Sequence, residues 1–258
     1  MNLALDVGNS EIAAGLFREG GLEAEWRLAS DRRRTPDEYA MLLRHLLRTG
    51  GFDPAGVESL TLASVVPPLT EIIEDTARRL GVEPETIGAD SDLPVRLEVD
   101  EPLTVGADRV ANTLAASRMY RADTVVVDLG TATTYDCVTH DGAFTGGVIA
   151  PGVRTASERL TEAAAKLPKV GIGVPGRVIG QRTEECIQSG VFYAAVDSID
   201  GMVLRILEEW ERPGAVVVAT GGLAGMIAPH CQRVALVEPH LTLYGVEFAR
   251  QYLASRGG

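Results

Sequence analysis

The sequence predicts an α/β protein built from two similar halves. Val125–Val138, VVVDLGTATTYDCV, reads as a buried valine strand that ends on Asp128, turns at Leu129-Gly130, and returns as a second strand. Thr131, Thr133 and Thr134 place three hydroxyls around that turn. The opening stretch Leu3–Phe17, LALDVGNSEIAAGLF, repeats the device with Asp6, Gly8 and a small polar pair. Such a turn aims backbone N–H groups and hydroxyls at phosphate, while the acid at the strand end holds a cation. Two copies about half a chain apart predict two half-molecules facing one ligand, and 258 residues are enough for two modest domains.

Leu3–Asp6, Glu11–Phe17 and Leu22–Leu28 form a predicted antiparallel meander with turns at Gly8-Asn9-Ser10 and Gly20-Gly21. A helix starts at Thr35, with Pro36 in its first turn and Glu38 closing a capping box, and it stops at Gly50. Leu60–Val65 is a buried strand ended by Pro67-Pro68, and Leu69–Leu80 a helix stopped by Gly81. Gly81–Asp100 holds an edge strand and a crossing segment, so the first domain is expected over 1–105 and the second over 106–258, the closing helix packing back on the first. Val105–Arg109 leads into an alanine-rich helix, Val110–Tyr120, whose first turn carries Asp108 and Arg109 and faces the cleft.

Beyond the hairpin, Ala143–Ile149 is a third strand and Val153–Lys166 a helix. Thr183–Glu211 is helical with a break near Asp197, Ala215–Ala219 is a buried strand running into Thr220-Gly221-Gly222, and Leu243–Ala254 closes the chain. The piece GIGVPG, 171–176, matches G-x-G-x-x-G in letters only. It follows a helix and carries Pro175 where a helix would start, so it is read as an ordered loop.

Composition narrows the function. Apolar residues at 45% and charged residues at 23% describe an ordinary globular protein, with disorder expected only at Gly257-Gly258. The net charge of −12 and a single basic run, Arg32-Arg33-Arg34, lack the electrostatic footprint of nucleic-acid binding. An acidic chain still binds a nucleotide where Mg²⁺ and N–H dipoles screen the phosphates. Cys137, Cys186 and Cys231 are odd in number and widely spaced, and are expected as buried thiols in a reducing cytoplasm. The N-terminus has no basic region and carries Asp6 inside its apolar run, against a signal peptide. Gly214–Ala228 suits a strand and turn better than a membrane span, so no membrane contact is expected. No P-loop, zinc-protease, hydrolase or protein-kinase motif occurs, and His45, His140, His230 and His240 are scattered and assigned no catalytic role.

Each candidate has a structural and a functional reading. Asp6 alone could cap its own turn, but its recurrence at Asp128 favours a site for Mg²⁺ and ATP. Thr220-Gly221-Gly222 is a strand-to-helix turn when taken alone. Beside two phosphate hairpins, the paired glycines fit a base or ribose lying flat on the backbone. Asp108 is favoured by the helix dipole and Arg109 suits a solvated surface. Equally, Asp108 could accept a hydroxyl proton during phosphoryl transfer and Arg109 clamp a carboxylate. Spacing alone leaves those two readings level.

Eight motifs in register resemble the type III pantothenate kinases: DVGNS at 6–10, VGADRVAN at 105–112, DLGTATTYD at 128–136, GGVIAPGV at 146–153, LPKV at 167–170, IGQRT at 179–183, TGG at 220–222 and HLTLYGV at 240–246. The resemblance implies the acetate and sugar kinase/Hsp70/actin fold, two ribonuclease H-like domains around a central cleft, in a homodimer. It implies ATP-dependent phosphorylation of pantothenate to 4′-phosphopantothenate, the first step of coenzyme A biosynthesis. Residue by residue, Asp6, Val7, Gly8, Asn9, Ser10, Glu11, Ile12 and Ala13 with Thr131 would bind ATP, and Gly221 and Gly222 would complete the nucleotide site. Asp6 would meet Mg²⁺, directly or through water. Asp128 would hold a monovalent cation, potassium or ammonium. Gly106, Ala107, Asp108, Arg109 and Thr183 would bind pantothenate, with Asp108 as proton acceptor.

The chain departs from the family pattern in three places. Ser10 stands where threonine is common, Val99–Pro102 lacks an aromatic, and Ala194 replaces an expected glycine. A non-catalytic regulator resembling the Bvg accessory factor branch is the alternative, as is another phosphotransferase of the same fold. Retention of Asp6, Asp108, Arg109 and Asp128 favours the enzyme.

Overall fold

The computed structural model describes residues 1–256; Gly257 and Gly258, where the sequence predicts disorder, lie outside the described residues. The chain packs into two compact units. The first comprises Met1–Arg118, Gly142–Phe144 and the segment from Leu241 onward; the second comprises Met119–Asp141 and Thr145–His240. The units therefore do not divide at 105/106: the helix bearing Asp108 and the closing helix both count with the first.

In the first unit, β1 (Asn2–Val7), β2 (Glu11–Arg18) and β3 (Gly21–Ala29) form the antiparallel meander. Next come α1 (Pro36–Thr49), β4 (Ser59–Ser64), α2 (Pro67–Leu80) and β5 (Pro84–Ile87). β4 runs parallel to β1 and β5 parallel to β4, giving the order β3-β2-β1-β4-β5. The capping box is present at α1, where the Thr35 side chain accepts from the Glu38 N–H and the Glu38 carboxylate returns the bond. α2 begins two residues earlier than the sequence suggests, because Pro67 and Pro68 occupy first-turn positions where no N–H is required.

Strand alternation sorts the two faces of this sheet. Leu3, Leu5 and Val7 point with Leu60 and Leu62 into one core, shared with Tyr39, Leu43, Leu69 and Ile73 of α1 and α2. Ala4 and Ala63 point the other way, toward α3 (Ala107–Tyr120) and α7 (Leu241–Arg256). Both helices start earlier than expected, α3 at Ala107 and α7 at Leu241. They touch backbone to backbone: a Cβ on Gly245 would overlap the Ala111 carbonyl. Beside this contact the buried Thr242 hydroxyl donates to Asn112 Oδ1 at 2.9 Å. β6 (Arg96–Leu97), a strand the sequence does not announce, pairs in parallel with Ala143 and Phe144.

The second unit repeats the plan. β7 (Thr124–Leu129) and β8 (Ala132–Val138) form the second hairpin, β9 (Ala143–Pro151) lies beside β8, and β10 (Val216–Thr220) runs parallel to β7 and to β11 (Leu236–Val237). The order β9-β8-β7-β10-β11 retraces β3-β2-β1-β4-β5. Its core joins Val125, Val127 and Val217 to Phe192, Val196, Ile199 and Val203 of α5 (Thr183–Glu209). The expected break near Asp197 is absent. Asp197 faces solvent while Val196, Ile199 and Val203 keep the helical spacing on the core side, so the polar residue breaks nothing. α4 (Val153–Ala163) ends three residues short of Lys166, where Ala164 turns extended. α6 (Ala224–Ile227) is a single turn after β10. Cys137 is buried as expected, but Cys231 is only partly buried and Cys186 is exposed on α5, correcting the expectation of three buried thiols.

The α3–α7 contact gives a direct test. Gly245→Ala drives a methyl into a backbone carbonyl that no rotamer can relieve, so thermal unfolding should show a loss of about 1–3 kcal/mol.

Candidate active site

The hairpin turn of the first unit closes on itself. The Gly8 N–H donates to the Glu11 carbonyl at 3.0 Å, leaving Asn9 and Ser10 exposed at the tip. Val7 and Ile12 point into the core, so their share in any ligand contact is backbone only. Ala13 pairs with Asp6 across the hairpin, and Glu11 lies 3.6 Å from Arg27. The end of β3 braces the turn: the Ser30 N–H donates to the Ser10 carbonyl at 3.1 Å and its hydroxyl to the Gly8 carbonyl at 2.5 Å. Arg32 reaches Asn9 Oδ1 at 3.4 Å. The sequence assigns neither Ser30 nor Arg32 to the turn, since that role depends on strand pairing.

In the same unit, β4 links the strand of Asp6 to the start of α3. Asp6 is in register with Ala63 of β4, and just beyond, the Val65 N–H donates to the Val7 carbonyl at 3.1 Å. A Cβ on Gly106 would stand 3.4 Å from Val65 Cγ1 and 2.5 Å from Asp108 Oδ1. Gly106 is therefore bare so that the Asp108 carboxylate can fold back over it. Asp108 Oδ1 also accepts the Arg109 N–H at 2.8 Å. Burial pushes the Asp108 carboxyl above its ordinary value, opposed by that N–H and by the Arg109 charge. Ala107 faces the core with Ala63, while the Arg109 guanidinium carbon lies over the Phe144 ring, 4.8 Å from its centroid. Val65 and Phe144 are further site residues that sequence reasoning misses.

In the second unit the Gly130 N–H closes the turn onto the Ala132 carbonyl at 3.1 Å, matching Gly8. The Thr131 carbonyl accepts the Thr155 hydroxyl at 2.8 Å, and Gly152 lies so close that a Cβ there would overlap it. Thr220 is in register with Asp128. Gly221, with φ +89°, presses bare backbone onto the acid: its Cβ would meet Asp128 Oδ1 at 2.5 Å. Gly222 is exposed beside it. The structure thus joins Asp128 to the glycine turn and places Thr131 at the hairpin tip. Thr183 lies elsewhere in this unit, at the first position of α5, lining a cavity of about 620 Å³ with Thr133, Tyr135, Pro151, Ala194 and Ser198. Burial raises the Tyr135 hydroxyl to about 12, so it stays protonated in that wall.

Both turns fit a phosphate and cation load. A glycine N–H closes each turn, and each preceding strand carries one carboxylate near its end. Among the described residues no three His, Cys, Asp or Glu side chains gather to hold a metal by themselves. A cation here would complete its shell with phosphate and water, as Mg²⁺ commonly does.

The sequence profile of type III pantothenate kinases matches residues 2–205. The chain belongs to that family. It is 43% identical over 249 residues to the type III pantothenate kinase of Moorella thermoacetica, covering 95% of this chain and 97% of that one. To the type III pantothenate kinase of Thermomicrobium roseum it is 42% identical over 250 residues, covering 96% of each. A ROK family glucokinase from Streptomyces griseus, solved in complex with glucose and AMPPNP, superposes with a TM-score of 0.56 at 14% identity, over 97% of this chain and 99% of that chain. That likeness speaks for the fold alone.

The raised Asp108 carboxyl has a stability consequence. A carboxyl whose folded pKa lies above its unfolded value contributes most in acid, and the contribution is lost as pH rises through the folded pKa. Ionised Asp108 thus weakens the fold near neutrality. Asp108→Asn is expected to melt at or above wild type at pH 7, with the difference vanishing below about pH 4. Calorimetric melting temperatures across that range check it.

Proposed function

We infer that the chain is an ATP-dependent pantothenate kinase, forming 4′-phosphopantothenate in the first step of coenzyme A biosynthesis. The observation that carries the reading is the Asp108–Arg109 pair: a carboxylate with raised proton affinity folded over Gly106, next to a guanidinium stacked on an aromatic ring. Pantothenate has a primary hydroxyl for the first and a carboxylate for the second.

In this reading Arg109 holds the substrate carboxylate with its planar fork, and Gly106 and Ala107 supply backbone beside it. Asp108 orients the hydroxyl and accepts its proton late in transfer, since a carboxylate is far too weak a base to deprotonate an alcohol beforehand. The turn Asp6–Ala13 and Thr131 hold ATP phosphates, and Gly221-Gly222 lie against the nucleoside. Asp6 serves Mg²⁺, directly or through water; when bound, the ion offsets charge on the β- and γ-phosphate oxygens. Asp128, fixed by Gly221, holds the monovalent cation, potassium or ammonium. Thr183 touches the substrate. Positioning and charge stabilisation supply most of the rate. A non-catalytic regulator of the Bvg accessory factor type would have no use for the full set Asp6, Asp108, Arg109 and Asp128, and nothing in the site favours it.

The enzyme is proposed to act in the cytoplasm as a homodimer. Among the described residues no helix is long and apolar enough to cross a membrane. The dimer reading draws support from the second unit, where α4 and α5 frame the apolar cavity and Ile149, Leu160, Val174, Val178 and Ile179 are exposed. Ala194, the departure from the family's glycine, sits in that cavity wall.

An ATP-consumption assay with and without pantothenate tests the activity. Turnover should require pantothenate and fall when potassium is replaced by sodium. In Asp108→Asn turnover should drop by about 10²-fold or more while calorimetric ATP binding persists; near-normal turnover in that variant would sink the assignment. For the dimer, Leu160→Glu should shift the light-scattering mass toward the monomer, and an unchanged mass would remove α4 from the contact.

A further inference from the structure

We propose that Phe144 is a positioning residue of the reaction, a buried aromatic platform that fixes the Arg109 guanidinium for the substrate carboxylate. The proposal rests on the carboxylate role of Arg109 given above.

An arginine side chain has four rotatable bonds, and freezing them costs up to about 2 kcal/mol. A guanidinium that must meet a carboxylate with both its N–H arms gains from having that cost met before substrate arrives. Here the guanidinium carbon lies 4.8 Å from the centroid of Phe144. The ring is 2% exposed and Nη2 of Arg109 is itself buried, so the attraction between cation and ring face is little screened by water. A ring covering one face of the guanidinium leaves polar contacts to its N–H edge rather than its face.

The platform is itself held from both sides in sequence. Phe144 is in register with Leu97 of β6, and its carbonyl accepts the Glu98 N–H at 2.8 Å. Two residues earlier, Gly142 turns with φ +86°, a conformation other residues rarely adopt, and its carbonyl accepts the Arg96 N–H at 2.9 Å. Leu97 of the short strand β6 packs against the core shared with α3 and α7. The strand's pairing also holds the segment that carries Phe144.

The experiment changes the charge distribution of the ring without changing its packing. Phenylalanine analogues with one, two and three ring fluorines, placed at position 144 of the full chain, progressively weaken the negative ring face. The KM for pantothenate should climb with each fluorine, about three- to tenfold across the series, with kcat, the KM for ATP and the melting temperature steady. Phe144→Tyr should keep the wild-type KM and Phe144→Leu should lose it. A flat KM across the fluorinated series overturns the proposal even if Phe144→Leu is impaired, because that impairment is then packing alone. Arg109→Gln separates the two levels of inference. A raised pantothenate KM there with a flat fluorine series sinks only the platform, whereas an unchanged KM in Arg109→Gln removes the carboxylate clamp and the platform together.

Discussion

Two carboxylates in this protein occupy space that a methyl group would otherwise fill. Asp108 Oδ1 and Asp128 Oδ1 each lie 2.5 Å from where a Cβ would stand, on Gly106 and Gly221 respectively. Bare backbone therefore sets how closely each acid lies against the chain. In the proposed reaction, charge placed this way needs little rearrangement when a transition state forms. At Asp108 the same close packing keeps water away, which is why its proton affinity rises although an arginine follows it directly.

The sheet of the first unit serves two different ends on its two faces. Under α1 and α2 it presents Leu3, Leu5, Leu60 and Leu62, side chains that give bulk and stability. Toward α3 and α7 it presents Ala4 and Ala63. Small residues bring helix and sheet closer, and the bare contact between Gly245 and Ala111 continues the same economy between the helices. The start of α3 is thereby set against the end of β4, where Val65 meets both Gly106 and the Val7 carbonyl next to Asp6. Stability and site geometry are thus assigned to opposite sides of one five-stranded sheet.

What was legible in the sequence was local. The capping box at Thr35 and Glu38, the strand-ending acids Asp6 and Asp128, and the glycine turn after β10 all announce themselves within a few residues. The repeat of the hairpin was enough to suggest two halves, and the two sheets do share one strand order. Contributions that depend on register were hidden. Val65 matters through the Val7 carbonyl, Ser30 through Gly8 and Ser10, and Phe144 through Arg109, and none carries a local signature. The supposed break at Asp197 failed for the opposite reason: a residue unfavourable in isolation costs little when the helix turns it to solvent.

The closing helix α7 belongs with strands made at the other end of the chain. On a ribosome, the sheet formed by β1 to β5 must wait through the synthesis of nearly all of the second unit before the segment that covers its alanine face exists. Until then Phe17, Ile87 and Leu114 lack the helix that buries them. The second unit, drawn almost entirely from one continuous stretch, has no such wait. The order of folding is therefore expected to run against the order of the sequence, with the half that emerges first completed last.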